Sequence, residues 1–176
     1  MVSAAAPVIA PPRILVAGIG NLFFGDDGFG VETVRRLTAR PLPENVQVVD
    51  FGIRGLDLAY ALLEPYAVVL FIDAVSRGEP PGTLYLIEPE IDPNAPATLD
   101  AHGMDPVRVL ALARALGAAP TRTFLIGCEP AFLPDAESDE VVMQLSAEVQ
   151  AAIPDAVRMA EKLIAQIHQT PLYSVL

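Results

Sequence analysis

One cysteine, 11 basic residues and two histidines are all that this 176-residue chain carries of three chemically informative classes. The lone Cys128 excludes an intramolecular disulfide framework and suits a reducing compartment, so a cytoplasmic location is expected. Against the 11 basic residues stand 22 acidic ones, a formal charge of −11. That balance disfavours nucleic acid and anionic membrane and favours a basic or metal-carrying partner. No apolar run approaches the roughly 20 residues that a membrane-spanning helix needs, so no membrane insertion is expected. The opening residues Met1–Pro7 lack a positive leader and a sustained apolar stretch, so no signal peptide is expected either.

Several chemistries are missing as well. The Gly18-x-Gly20-x-x-Phe23 stretch lacks the third glycine of a dinucleotide fingerprint, and no Walker-type lysine is present. Neither Ser76 nor Ser138 lies in a Gly-x-Ser-x-Gly elbow, and there is no His-Glu-x-x-His helix. Cys128 ends an apolar run with no basic neighbour in sequence, which reads as a core thiol and not as a nucleophile. Phosphate cradling and covalent catalysis are both disfavoured.

What is present is a chain with 52% apolar residues, long enough for one buried core and too short for two ordinary domains. Residues 13–170 are expected to form that domain, with 1–12 and 171–176 as flexible tails. Four apolar or β-branched runs read as strands covered on both faces: Arg13–Ile19, Val46–Phe51, Ala67–Asp73 and Thr123–Cys128. A fifth, Thr83–Ile87, alternates more and follows Pro80-Pro81-Gly82, which suits an edge or antiparallel strand. Helical patterns fill the gaps at Gly28–Arg40, Leu56–Leu63 and Asp105–Leu116. A last one runs from about Asp139 to Gln169, where Pro154 is expected to break or kink it. The alternation predicts an α/β fold, a three-layer α/β/α sandwich around a mostly parallel five-stranded sheet.

In such folds ligands gather beyond the carboxyl ends of the strands. Here acidic residues recur there: Asp26 and Asp27 after the first strand, Asp50 closing the second, Asp73 closing the third, Glu129 after the last. Two carboxylates at the mouth of the first strand-to-helix turn repel phosphate and attract a cation. Each also has a simpler structural reading, as a helix cap for Asp26, an Asx turn for Asp50, a buried cap for Asp73 or a loop residue for Glu129. Together they favour a metal site, because neighbouring carboxylates repel one another unless a cation neutralises them. Of the two histidines, His168 reads as a solvent-facing residue at a helix C-terminus, whereas His102 sits in a loop before the third long helix. Two carboxylates and an imidazole suit a borderline divalent ion such as zinc or nickel.

Several of these motifs occur together in one known group. The run Ile14-Leu15-Val16-Ala17-Gly18-Ile19-Gly20-Asn21, then Asp26-Asp27-Gly28-x-Gly30-Val31, resembles the opening of the nickel–iron hydrogenase maturation endopeptidases. Asp50-Phe51-Gly52-Ile53-Arg54-Gly55-Leu56, Phe71-Ile72-Asp73-Ala74 and Leu125-Ile126-Gly127-x-Glu129-Pro130 are similar to later parts of that family, and the likeness spans about residues 13–168. The resemblance implies a metal held by Asp27, Asp73 and His102; in a metal-assisted hydrolysis Asp27 and Asp73 are then catalytic, with Asp26 or Asp50 expected to orient water or accept the proton. It further implies that the C-terminal extension of a hydrogenase large-subunit precursor is cut off once nickel is inserted. The nickel is then supplied by the precursor, with zinc or another divalent ion as the resident alternative. The enzyme expected is a metal-dependent, aspartate-rich endopeptidase, with no nucleic-acid or membrane partner. Two rivals on the same fold are a non-catalytic nickel-binding chaperone and a small-molecule hydrolase or phosphorylase, the latter short of basic residues because only Arg54 lies close by.

Overall fold

A computed structural model describes residues 11–89, 106–118, 122–133 and 141–169. Five strands form one sheet: β1 (Ile14–Ile19), β2 (Val46–Gly52), β3 (Val68–Ala74), β4 (Leu84–Ile87) and β5 (Arg122–Cys128). Their spatial order is β2-β1-β3-β5-β4. The first four in that order run parallel, and β4 closes the edge antiparallel to β5. The expected three-layer α/β/α arrangement is therefore the one observed.

The strands are apolar because helices cover both faces. On one face α1 (Phe29–Thr38) and α4 (Ala147–Gln169) pack on Ile14, Val16, Val68, Leu70, Ile72 and Ile126. On the other, α2 (Gly55–Ala61) and α3 (Pro106–Ala115) pack on Leu15, Ala17, Ile19, Val69 and Phe71. The two sets alternate along β1 and β3, as the two-residue side-chain period requires. β2 departs from expectation. It was read as covered on both faces, but most of it is only half-buried, because its place at the sheet's end leaves one side without a neighbouring strand.

The long C-terminal helix differs from expectation too. It begins at Ala147 and runs unbroken to Gln169 with Pro154 inside it. Pro154 and Gln150, the residue whose carbonyl loses its donor, are both exposed, so the proline sits on the solvent side of the helix where that loss costs least. Buried Val149, Ala152 and Ile153 before the proline and Ala156, Val157 and Ala160 after it hold the helix to the sheet on both sides. His168, expected to face solvent, instead lies 2.7 Å from the Asn45 side chain and ties the end of α4 to the turn before β2.

The chain moves outward from β1 to β2, then crosses back to place β3 on the other side of β1. That reversal puts the topological switch point between β1 and β3, where the loops diverge and leave a crevice at the strands' carboxyl ends. α1 closes on this point very tightly. A Cβ at Gly30 would lie 2.0 Å from the Ile72 carbonyl oxygen and 2.3 Å from that of Ile19. Both obstacles are backbone, so nothing there can rotate aside. Gly30→Ala is therefore expected to push α1 off the sheet, cost about 2–3 kcal/mol and lower Tm by roughly 5–10 °C. A thermal melt within a degree of wild type would show that the contact is not tight.

Candidate functional site

The crevice is bordered by the turn that follows β1. A single 3-10 turn, Gly25–Gly28, leads directly into α1 and packs against β3. Gly20 begins the turn at a φ of 122°, and a side chain there would collide with the Asp27 carbonyl oxygen at 1.8 Å. The chain thus needs glycine at this position for both its backbone angle and its space. Gly20 donates its N–H to the Gly52 carbonyl at 3.1 Å, which ties the turn to the end of β2.

The five acidic residues that end the strands serve different purposes. Asp26 is almost fully buried and accepts three backbone N–H groups: Ala131 at 2.8 Å and Phe132 at 3.2 Å on Oδ2, Ser146 at 2.6 Å on Oδ1. Both its oxygens join the first loop to the segment after β5 and to the approach to α4. Glu129 is buried as well. It accepts the N–H groups of Arg77 and Gly78 and, at 2.6 Å, the Tyr85 hydroxyl. The Tyr85 hydroxyl, followed by those N–H groups, holds its carboxyl below the usual range despite burial. These two carboxylates knit loops together.

Asp27 is different. Its Oδ2 accepts the Asn21 N–H at 2.6 Å, and burial pushes its carboxyl above the usual range, which that bond only partly offsets. Asp73 sits at the end of β3, 8% exposed, with Oδ1 accepting the N–H of Ala74 at 2.9 Å. Strand alternation puts it on the face of Val69 and Phe71, the face that α3 covers. Asp27 and Asp73 thus lie on the two elements that flank the switch point, each with a carboxylate oxygen that accepts a backbone N–H. Asp50 pairs in register with Gly18 and starts on the opposite, α1 face, where Arg35 lies 3.4 Å from its Oδ2. Its Oδ1 lies beside Gly52. Arg54 does not reach into the site: its Nε donates to the Phe51 carbonyl at 3.1 Å and its Nη2 to that of Asp50.

The expectation of one acidic cluster therefore needs correcting. Among the described residues, no three of the His, Cys, Asp and Glu side chains come together to hold a metal. Alternation sends Asp50 and Asp73 to different faces, and backbone N–H groups capture Asp26 and Glu129. The third ligand expected, His102, lies outside the described residues. What the described part offers a divalent ion is two oriented carboxylates, a donor set suited to such an ion with an imidazole as third partner. Cys128 is fully buried, and its thiol is pushed up to about 12 by burial, with Asp26 and Glu129 adding to the effect. It is a core thiol, as its apolar context indicates.

Sequence reasoning passed over Tyr85, whose phenol is raised to about 12 by burial and by its bond to Glu129. Only the tertiary fold reveals it, since 44 residues separate the pair. Because the folded Glu129 carboxyl titrates below its ordinary value, its contribution to stability is complete above that value and fades as pH falls through the folded one. Removing the phenol in Tyr85→Phe raises the folded value, so the acid-unfolding midpoint is expected to move to higher pH. Circular dichroism against pH checks this; superimposable acid limbs for the two proteins would contradict it.

Comparison with known proteins places the fold in a family. The hydrogenase maturation protease family matches residues 31–163. The hydrogenase expression/formation protein HupD of Rhodobacter capsulatus is 38% identical over 158 residues, covering 86% of this chain and 73% of the relative. The hydrogenase maturating endopeptidase HybD of E. coli superposes with a TM-score of 0.71 at 28% identity, over 88% of this chain and 93% of that one. A hydrogenase 2 maturation peptidase from a Thaumarchaeota archaeon gives a TM-score of 0.63 at 35% identity, over 86% and 97% of the two chains. With the family matched over most of its length and its fold reproduced by solved relatives, this chain belongs to the hydrogenase maturation proteases.

Proposed function

We propose that this protein is the endopeptidase that removes the C-terminal extension of a nickel–iron hydrogenase large-subunit precursor after nickel insertion. The observation that carries the reading is the pair Asp27 and Asp73, set on the loop and strand that flank the switch point of a maturation-protease fold. In a nucleotide-binding fold this turn offers backbone N–H groups to phosphate. Here it presents a carboxylate, which suits a cation arriving with the substrate.

In this reading nickel belongs to the precursor, and Asp27 and Asp73, with His102, recognise it. The ligands would equally suit a resident zinc. A divalent ion bound there supplies Lewis acidity towards the scissile carbonyl and makes water a nucleophile at neutral pH. The chain's own contribution is to orient. The Asn21 N–H fixes the Asp27 carboxyl, the Ala74 N–H fixes that of Asp73, and the Gly20 contact holds the turn to the strand ends. With Asp26 committed to three backbone donors, Asp50 is the remaining carboxylate for accepting a proton, and from the face opposite Asp73 it would do so through a bridging water. Its side chain is 36% exposed, and Arg35 contacts it through Oδ2.

Asp73→Asn keeps the shape and the acceptor for Ala74 while removing the charge. It is expected to slow processing at least ~100-fold with Tm within about 2 °C of wild type, roughly half a kcal/mol. The check is the intact mass of a nickel-loaded precursor from the same organism before and after incubation. Retained processing would sink the site assignment. An unchanged mass with the wild-type protein, despite complex formation, would favour the chaperone instead.

A further inference from the structure

The segment 141–143 is a short extended strap beside the candidate site. Its middle residue faces inward: the Val142 N–H donates to the Phe23 carbonyl at 3.0 Å, and its carbonyl accepts the Gly25 N–H. These are the bonds of a parallel bridge between Val142 and Phe24. In extended chain the N–H and C=O of one residue point to the same side and those of its neighbours to the other. Val141 and Met143 therefore turn their backbone groups outward, and among the described residues nothing pairs with them. The two residues are 63% and 68% exposed.

We propose that this outward edge docks an extended stretch of the peptide substrate as an added strand, with the pocket beside Met143 taking a long basic side chain. The proposal rests on the endopeptidase reading and names how that site receives its substrate. Three observations carry it. The edge is held rigidly, since Phe23 and Gly25 pin its middle and Asp26 takes the Ser146 N–H three residues beyond Met143. Such preorganisation lowers the cost of binding an extended chain. The edge is also continuous with the candidate site, because Gly25 stands two residues before Asp27 in the same turn. A strand added here would run beside the groups that must act on it, as proteolysis demands. Finally, the pocket is lined by Leu22, Gly25, Glu32, Met143, Gln144, Leu145 and Gln150, with Glu32 its one charged group. A carboxylate and two amides beside apolar Leu22, Met143 and Leu145 fit a lysine or arginine, which would share Glu32 with Arg35, 3.0 Å from its Oε1. Main-chain bonds for affinity with side-chain pockets for choice are how strand addition selects peptides. A second copy of this chain, at −11, is a poor occupant by charge.

The test follows hydrogen exchange at single amides as the protein meets a nickel-loaded precursor, with cleavage read by mass in the same samples. Val141 and Met143 are expected to slow by about tenfold or more, while Val142, already bonded to Phe23, changes little. Glu32→Gln is expected to raise KM about fivefold and leave kcat within about twofold, the pattern of lost substrate binding. Cleavage with both amides exchanging at their free rates overturns the docking edge and leaves the endopeptidase reading intact. Protection without cleavage supports the edge and removes that reading, and the loss of both signals overturns both. Slowing of the two amides in the protein alone, growing with concentration, assigns the edge to a second copy and overturns the proposal.

Discussion

Everything at the candidate site depends on how closely α1 meets the sheet. With hydrogen at Gly30 in place of a side chain, the helix backbone rests against the carbonyl ends of β1 and β3. Gly18 makes the same accommodation one strand position earlier, facing Val34 and the Gly30 carbonyl. Lifting the helix by the width of a methyl group would carry its leading turn, and Asp27 with it, away from Asp73. The contact is steric and backbone-based, so it sets height without any hydrogen bond of its own.

On that foundation the chain distributes its carboxylates by what their surroundings offer. A buried carboxylate costs free energy unless donors meet it. Asp26 and Glu129 are met by backbone N–H groups from loops distant in sequence, and so turn burial into cross-linking. Asn21 donates its N–H to Asp27 and Ala74 donates its own to Asp73, and Asp27 retains a carboxyl raised by burial. A buried acid whose desolvation is not fully compensated favours a cation. The same strand ends therefore carry both the acids that cross-link loops and Asp27, and what separates them is how far backbone donors offset burial.

Much of this was readable from residue order alone. Apolar runs separated by helical patterns specify a covered parallel sheet, and the weak, proline-preceded run at Thr83–Ile87 specifies its antiparallel edge. The glycines and acids of residues 18–30 mark the first turn as a tight, acid-bearing loop rather than a phosphate cradle. Other features were misread for identifiable reasons. Pro154 breaks a helix in isolation, but here it sits on the solvent side and buried residues on either side carry the helix through. The acids looked like one cluster because position along a strand does not reveal which face a side chain takes beyond the strand's end. His102 lies outside the described residues.

The sequence by itself thus determined the layers, the strand directions and the identity of the loop at the crevice, since these follow from local periodicity and from glycine and carboxylate placement. Only the tertiary structure decided which acids are spent on cross-linking loops. Asp26 finds its donors 105 to 120 residues away, and Glu129 meets Tyr85 across 44. A carboxylate's role is set by the donors that surround it, and those donors come together only when the whole chain has folded.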